Sequence, residues 1–154
     1  MGFSVNSKML VHALYTAGSL TEETFERKFG ILKTFGFSQH ECLKMFRRVP
    51  DFPRTSEKKL KLGLDFFLNT VKVKKEVLVN RPALLMQSLE KRVIPRYKVL
   101  EILKSKELLK KQPSCAVVLN LTEREFLQKF ISKFPNEAEE LLAVYRHRVL
   151  DSPS

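Results

Sequence analysis

The residues in this sequence whose types and spacing suit a chemistry are two clusters of basic side chains. The first is Lys58, Lys59 and Lys61; the second is Lys91, Arg92, Arg96 and Lys98. Ammonium and guanidinium groups at this density suit the neutralisation of phosphates, a salt-dependent contact that carries no sequence code of its own. Few polar side chains able to read base edges accompany them, so contact to a nucleic-acid backbone is expected rather than base readout. The sequence does not decide between duplex DNA and structured RNA. An acidic protein partner is the competing occupant of such a surface.

Other chemistries find little support. His12, His40 and His147 are scattered, and His40-Glu41-Cys42 is the only mixed ligand-like cluster. Adjacent residues on a helix point in different directions, which does not suit a closed metal site. Cys42 and Cys115 have neither metal nor disulfide spacing and are read as reduced, small apolar side chains. There is no glycine-rich phosphate loop, no Gly-x-Ser-x-Gly and no Ser/His/Asp set. The chain is therefore read as a non-enzyme, with no cofactor and no metal.

The net charge of +11 is unevenly placed. Residues 1–46 hold five Lys/Arg against four acids, residues 47–111 hold eighteen against seven, and residues 112–154 hold five against six. The excess thus lies in the middle segment, the electrostatic footprint of a polyanion binder. The alternative is a solvated surface that keeps the chain soluble. No run approaches the 18 apolar residues of a membrane-spanning helix. The first 21 residues contain no acid, as a transit peptide would, but their single Lys and absent Arg fit that reading poorly.

The elements that must position the basic clusters are helices. Twelve Phe, five Gly, no Trp and many Leu, Lys and Glu suit helices better than a sheet sandwich. Phe25, Phe29 and Leu32 form a buried face that Gly36 stops in the manner of a C′ glycine. Ser38 and Glu41 have capping-box spacing, as do Thr122 and Glu125. Pro50 ends a short helix, since the residue before proline avoids helical angles. Ser56 and Ser88 stand as N-caps. After Ser88, the spacing of Val93, Tyr97, Leu100 and Leu103 predicts one buried stripe, with Lys91, Arg92, Arg96 and Lys98 opposite. Cys115 to Leu121 reads as a buried helix or loop. Glu137 to Arg146 is the last helix, and residues 151–154 are expected to fray.

The pattern recurs. Phe46, Pro50, Phe52, Ser56 and Phe67 correspond to Leu78, Pro82, Leu84, Ser88 and Val99, each 32 residues on. Inside the helix Glu57-Lys58-Lys59 matches Glu90-Lys91-Arg92 at 33, and Gly63 falls at the place of Pro95, so each copy is expected to bend there. A helix–turn–helix period of this length reads as a solenoid whose units bury each other's faces. Matching places in stacked repeats lie side by side, so the two basic clusters are expected to form one continuous strip. Replacing Arg92 and Arg96 with Ala is expected to cost only about 0.5 kcal/mol each and to lower the salt slope of binding by roughly two units.

Leu84-Leu-Met-Gln-Ser-Leu-Glu-Lys-Arg92 followed by Ile94-Pro-Arg96 resembles the signature of the mitochondrial transcription termination factor (mTERF) family, in its plant branch. Leu10 to Leu14, Lys33 to Ser38, Phe46 to Pro50, Ser56 to Leu60, Gly63 to Phe67, Lys104 to Lys106, Phe126 to Phe130 and Glu140 to Tyr145 carry the same resemblance in order. It implies an all-α, helical-repeat solenoid of helical triplets forming a curved superhelix. It also implies nucleic-acid binding in mitochondria or chloroplasts, in transcription termination, RNA processing or ribosome assembly. The expected organisation is about three repeats over residues 1–111, the first incomplete, and a helical cap over 112–154. Met1 already lies in repeat-like sequence, so the chain reads as part of a longer array. Its apolar segment 1–17, with Leu10 and Leu14, is expected to leave an exposed patch through which the chain self-associates.

Overall fold

The computed structural model of the chain describes residues 22–150, with side chains through Arg146. The expectations for segment 1–17 and for residues 151–154 lie outside the described residues. Every regular element among the described residues is helical. The chain divides into two compact units after Met86.

The first unit runs through α1 (Glu22–Thr34), α2 (Gln39–Arg48), a 3-10 turn (Phe52–Arg54), α3 (Glu57–Asp65) and a π turn (Phe66–Thr70). It closes with α4 (Lys75–Asn80) and a second 3-10 turn (Pro82–Met86). Phenylalanine rings fill its centre: Phe46 meets Phe25, Phe29 and Phe52 with centroids 5.6, 4.7 and 5.6 Å apart. These tilted and edge-on contacts suit the ring quadrupoles. Leu32, Leu60, Leu64, Phe67, Leu78 and Leu84 complete the core.

The starts and stops follow the sequence signals. The Ser38 hydroxyl accepts from the Glu41 amide at 3.1 Å, and the Ser38 amide donates to Glu41 Oε1 at 2.8 Å. The box satisfies two of the donors that a helix start leaves orphaned. α1 ends in a Schellman arrangement: the Phe37 amide donates to Leu32 O and the Gly36 amide to Lys33 O, with Gly36 at φ 95°. Glycine holds this left-handed angle without a Cβ clash. α2 stops at Arg48, two residues before Pro50.

The second unit opens with a π turn (Leu89–Val93) leading into α5 (Ile94–Ser105). Then come α6 (Cys115–Asn120), α7 (Glu123–Leu127), a π turn (Gln128–Ser132) and α8 (Ala138–Leu150). The Ser88 hydroxyl accepts from the Lys91 amide at 3.2 Å, and Thr122 and Glu125 form the second capping box. Val99, Leu100, Leu103, Val118, Phe126, Ile131, Leu141 and Tyr145 make the core.

The expected bends take the form of π turns. In the first unit α3 widens at Phe66, three residues beyond Gly63, and the Val71 amide donates to Phe66 O. In the second, the widened turn precedes Pro95, and the Val93 amide donates to Ser88 O. Proline has no N–H to continue an i→i−4 ladder, and an extra residue in the preceding turn accommodates that gap. A hydroxyl cap followed by a helical run that contains a π turn recurs at Ser56, Ser88 and Thr122, with the π turn after the α-helical part at Ser56 and Thr122 and before it at Ser88; the fold is an all-α helical-repeat fold.

Candidate nucleic-acid interface

The seven basic residues singled out in the sequence part into two groups. Lys58 and Lys61 are exposed on α3, whose inward residues are Leu60, Gly63 and Leu64. Lys91 and Lys98 are exposed on the Leu89–Val93 turn and on α5. These four residues are exposed to solvent. Lys59, Arg92 and Arg96 are turned inward within their own units.

The Arg96 position corrects the sequence expectation. It was expected opposite the buried stripe, yet it is 1% exposed, among the most buried large side chains of the protein. Along α5 Arg96, Val99, Leu100 and Leu103 form a buried i, i+3, i+4, i+7 stripe, with Pro95 buried beside it. Tyr97, expected inside, is only half-buried. Val93, Leu100 and Leu103 are buried as expected, and Arg96 rather than Tyr97 fills the place between them, because the π turn at 89–93 changes the angular register between Val93 and α5.

A guanidinium is tolerated there because backbone carbonyls surround it. Arg96 Nη1 donates to Val118 O and Leu121 O, both at 2.7 Å. Its Cζ stands 4.9 Å from the centroid of the Phe126 ring, which stacks on Tyr145. Arg92 approaches from the same side: Nη2 donates to Leu119 O at 2.8 Å and Leu121 O at 2.7 Å, and Nε to Gln87 Oε1 at 3.0 Å. Val118 and Leu119 lie in the last turn of α6, where Val118 O has only a long 3.3 Å backbone bond, from the Leu121 amide, and the carbonyls carry the negative end of the helix dipole. Two cations on that terminus satisfy hydrogen bonding and charge together. Burial, and then the neighbouring Arg92 charge, hold the Arg96 pKa below its ordinary value. Arg96 Nε is buried without a partner.

The same device recurs in the first unit. Lys59 Nζ donates to Met86 O at the end of the second 3-10 turn, and Lys28 Nζ to Pro53 O in the first. Lys59 to Met86 and Arg92 to Leu119 each span 27 residues. Arg48 Nη1 reaches Asn80 O at the end of α4 at 3.3 Å. Each cation lies on or beside one helix and donates to a carbonyl of a short element later in the chain. Sequence reading missed this role, although the 33-residue correspondence of Lys59 with Arg92 was a signal that one structural duty repeats.

No group of three or more His, Cys, Asp or Glu able to hold a metal ion occurs among the described residues. No helix of the described residues is long and apolar enough to cross a membrane. Cys42 is fully buried, and desolvation pushes its thiol pKa up to about 12; Cys115, half-buried, is pushed to about 11.

A family model described as mTERF matches residues 11–127. Searches of curated proteins and of solved structures return no match. The match spans most of the chain, and the chain belongs to the mTERF family, a helical-repeat family whose role is nucleic-acid binding in organellar gene expression.

Proposed function

We propose that this mTERF-family chain binds double-stranded DNA in a mitochondrion or chloroplast through exposed lysines laid on the phosphate backbone, and so takes part in transcription termination or its regulation. The observation that supports this reading most is the partition of the basic residues. Lys59, Arg92 and Arg96 are held by carbonyls, while Lys58 and Lys61 in one unit and Lys91 and Lys98 in the other are exposed, Lys58 and Lys91 at corresponding places of two repeats. Lysine is a compact point charge without the fork geometry that reads guanine, so this set suits backbone contact without sequence preference.

The test is fluorescence anisotropy with a labelled DNA duplex and a structured RNA hairpin of equal length, across a salt titration. Four phosphate contacts give a slope of log K against log salt near −3.6 on duplex DNA, by about −0.9 per contact. Lys58→Gln with Lys61→Gln lowers that slope by about two units, as does Lys91→Gln with Lys98→Gln. A slope near zero, or one indifferent to both pairs, refutes phosphate contact by these residues. Tighter binding to the hairpin at every salt concentration moves the substrate to RNA.

A further inference from the structure

A second feature of the second unit serves none of this. The left-handed residue Glu107, at φ 56°, ends α5. The Leu108 amide donates to Leu103 O and the Glu107 amide to Lys104 O, closing a Schellman turn. The chain then runs past the π turn that follows α7. Between them lies an open cavity of about 610 Å³. Its floor is Leu108, Leu109, Phe130 and Phe134, all half-buried. Its rim is Lys110, Lys111, Lys129 and Lys133, all exposed. None of the four ammonium groups makes a close ion pair or hydrogen bond among the described residues, although the Lys129 charge is felt by Glu125. Glu125, one turn before Lys129, is engaged by its cap with Thr122.

We infer that this cavity is a docking site for an acidic segment of a partner protein, in which two large apolar side chains are flanked by Asp or Glu. Its volume falls in the range of ligand pockets, about 300–1,000 Å³. Phe130 and Phe134 are four residues apart, as are Lys129 and Lys133, so apolar floor and cationic rim run in parallel along one stretch of chain. A helix or turn with apolar anchors and neighbouring carboxylates complements that arrangement. The choice of a peptide over a nucleobase follows from the lining. Apart from ammonium groups it offers no side-chain donor or acceptor, so the polar edge of a base pressed onto the floor loses water without replacement. Leucine or phenylalanine side chains have no such edge.

The experiment is selection from a random 12-residue peptide display library on the intact chain, with counter-selection on Lys110→Glu/Lys129→Glu. The reversals lie at exposed positions, and thermal melting checks that the variant folds. Lys110→Gln/Lys129→Gln serves as the milder second variant. Enriched peptides are expected to carry a pair of large apolar residues among several Asp or Glu. Their binding should weaken about tenfold on the neutralised variant and further on the reversed one. Enriched peptides without acids, binding indifferent to both variants, or no enrichment over counter-selection overturns the proposal. So does displacement of a selected peptide by single-stranded oligo(dT) whose own binding is lost on the same variants, which makes the cavity a nucleic-acid subsite. The outcome is separable from the duplex reading, which rests on Lys58, Lys61, Lys91 and Lys98.

Discussion

Replacing Arg96 tests whether the guanidinium holds the second unit together or serves its surface. Arg96→Ala removes two packed methylenes, worth about 0.8 kcal/mol each. It removes two charge-assisted hydrogen bonds, to Val118 O and Leu121 O, each worth at least about 1.5 kcal/mol. Against this, the buried Nε without a partner no longer costs about 1–2 kcal/mol. Leu121 O keeps its bond from Arg92, and Val118 O keeps a longer one from the Leu121 amide. The expected loss is about 3 kcal/mol, a large fraction of a domain's whole stability. Arg96→Met retains most of the stem packing and loses the hydrogen bonds, so it should cost about half as much. The assay is urea unfolding followed by tyrosine fluorescence, since Tyr97 and Tyr145 of the three tyrosines lie in the second unit. A loss under about 1 kcal/mol for Arg96→Ala, with an unchanged midpoint and a reduced salt slope of DNA binding, would refute the clamp and restore a surface role.

Two glycines should respond in opposite directions to alanine. At Gly30, inside α1, a Cβ meets nothing within 4 Å, so Gly30→Ala should stabilise by up to about 1 kcal/mol through helix propensity. At Gly63 a Cβ meets Leu85 Cδ2 at 3.2 Å; Leu85 is 1% exposed and has nowhere to move, so Gly63→Ala should lower the unfolding midpoint despite the same propensity gain. The Ser38 backbone amide, with the nearby Lys75 ammonium, holds the Glu41 carboxyl pKa below its ordinary value. A carboxylate depressed on folding contributes stability present above its unfolded pKa, near 4.5, and lost as pH falls through the folded value. The midpoint difference between wild type and Glu41→Gln should therefore shrink on acidification below that pH, and a constant difference refutes the role of the charge. Cys42, with its thiol pushed to about 12, should label with a thiol reagent only on unfolding; labelling of native Cys42 on mixing refutes its burial.

The fold was legible because its punctuation is local. Ser38, Ser56, Ser88 and Thr122 cap helices, Gly36 closes one and Pro50 follows the end of another, as their side chains and fixed angles require. The candidate site was only half legible. Lys58, Lys61, Lys91 and Lys98 are exposed where helical periodicity put them. Arg96 was misplaced because a 3.6-residue wheel was carried across Ser88 to Leu103, and a π turn breaks that wheel at 89–93. The signal was Pro95, which cannot sit inside an uninterrupted helix. The cavity rimmed by Lys110, Lys111, Lys129 and Lys133 joins residues about 20 apart in sequence through the turn at Glu107. No periodicity spans such a turn.

The basic excess of the middle segment accordingly has two destinations, and they obey different physics. A cation lying across the carbonyl end of a short helical element exchanges water for fixed partners, and the element gains an otherwise missing C-terminal cap. Such elements are short here: α4 and α6 have six residues each. Helices of that length do not hold themselves in water, so the guanidinium that reaches each from an earlier element, Arg48 for α4 and Arg92 with Arg96 for α6, is part of what fixes it. The recurrence at a span of 27 residues, Lys59 to Met86 and Arg92 to Leu119, marks this as a property of the repeat. Salt separates the two destinations. Exposed lysines lose their pull on phosphate as ionic strength rises, whereas Arg92 and Arg96, held by carbonyls at 2.7–2.8 Å, are screened far less. The unfolding midpoint of the second unit should thus be nearly flat over the salt range in which nucleic-acid affinity falls by orders of magnitude. A midpoint that falls in step with affinity would mean that the clamp and the interface draw on the same charges.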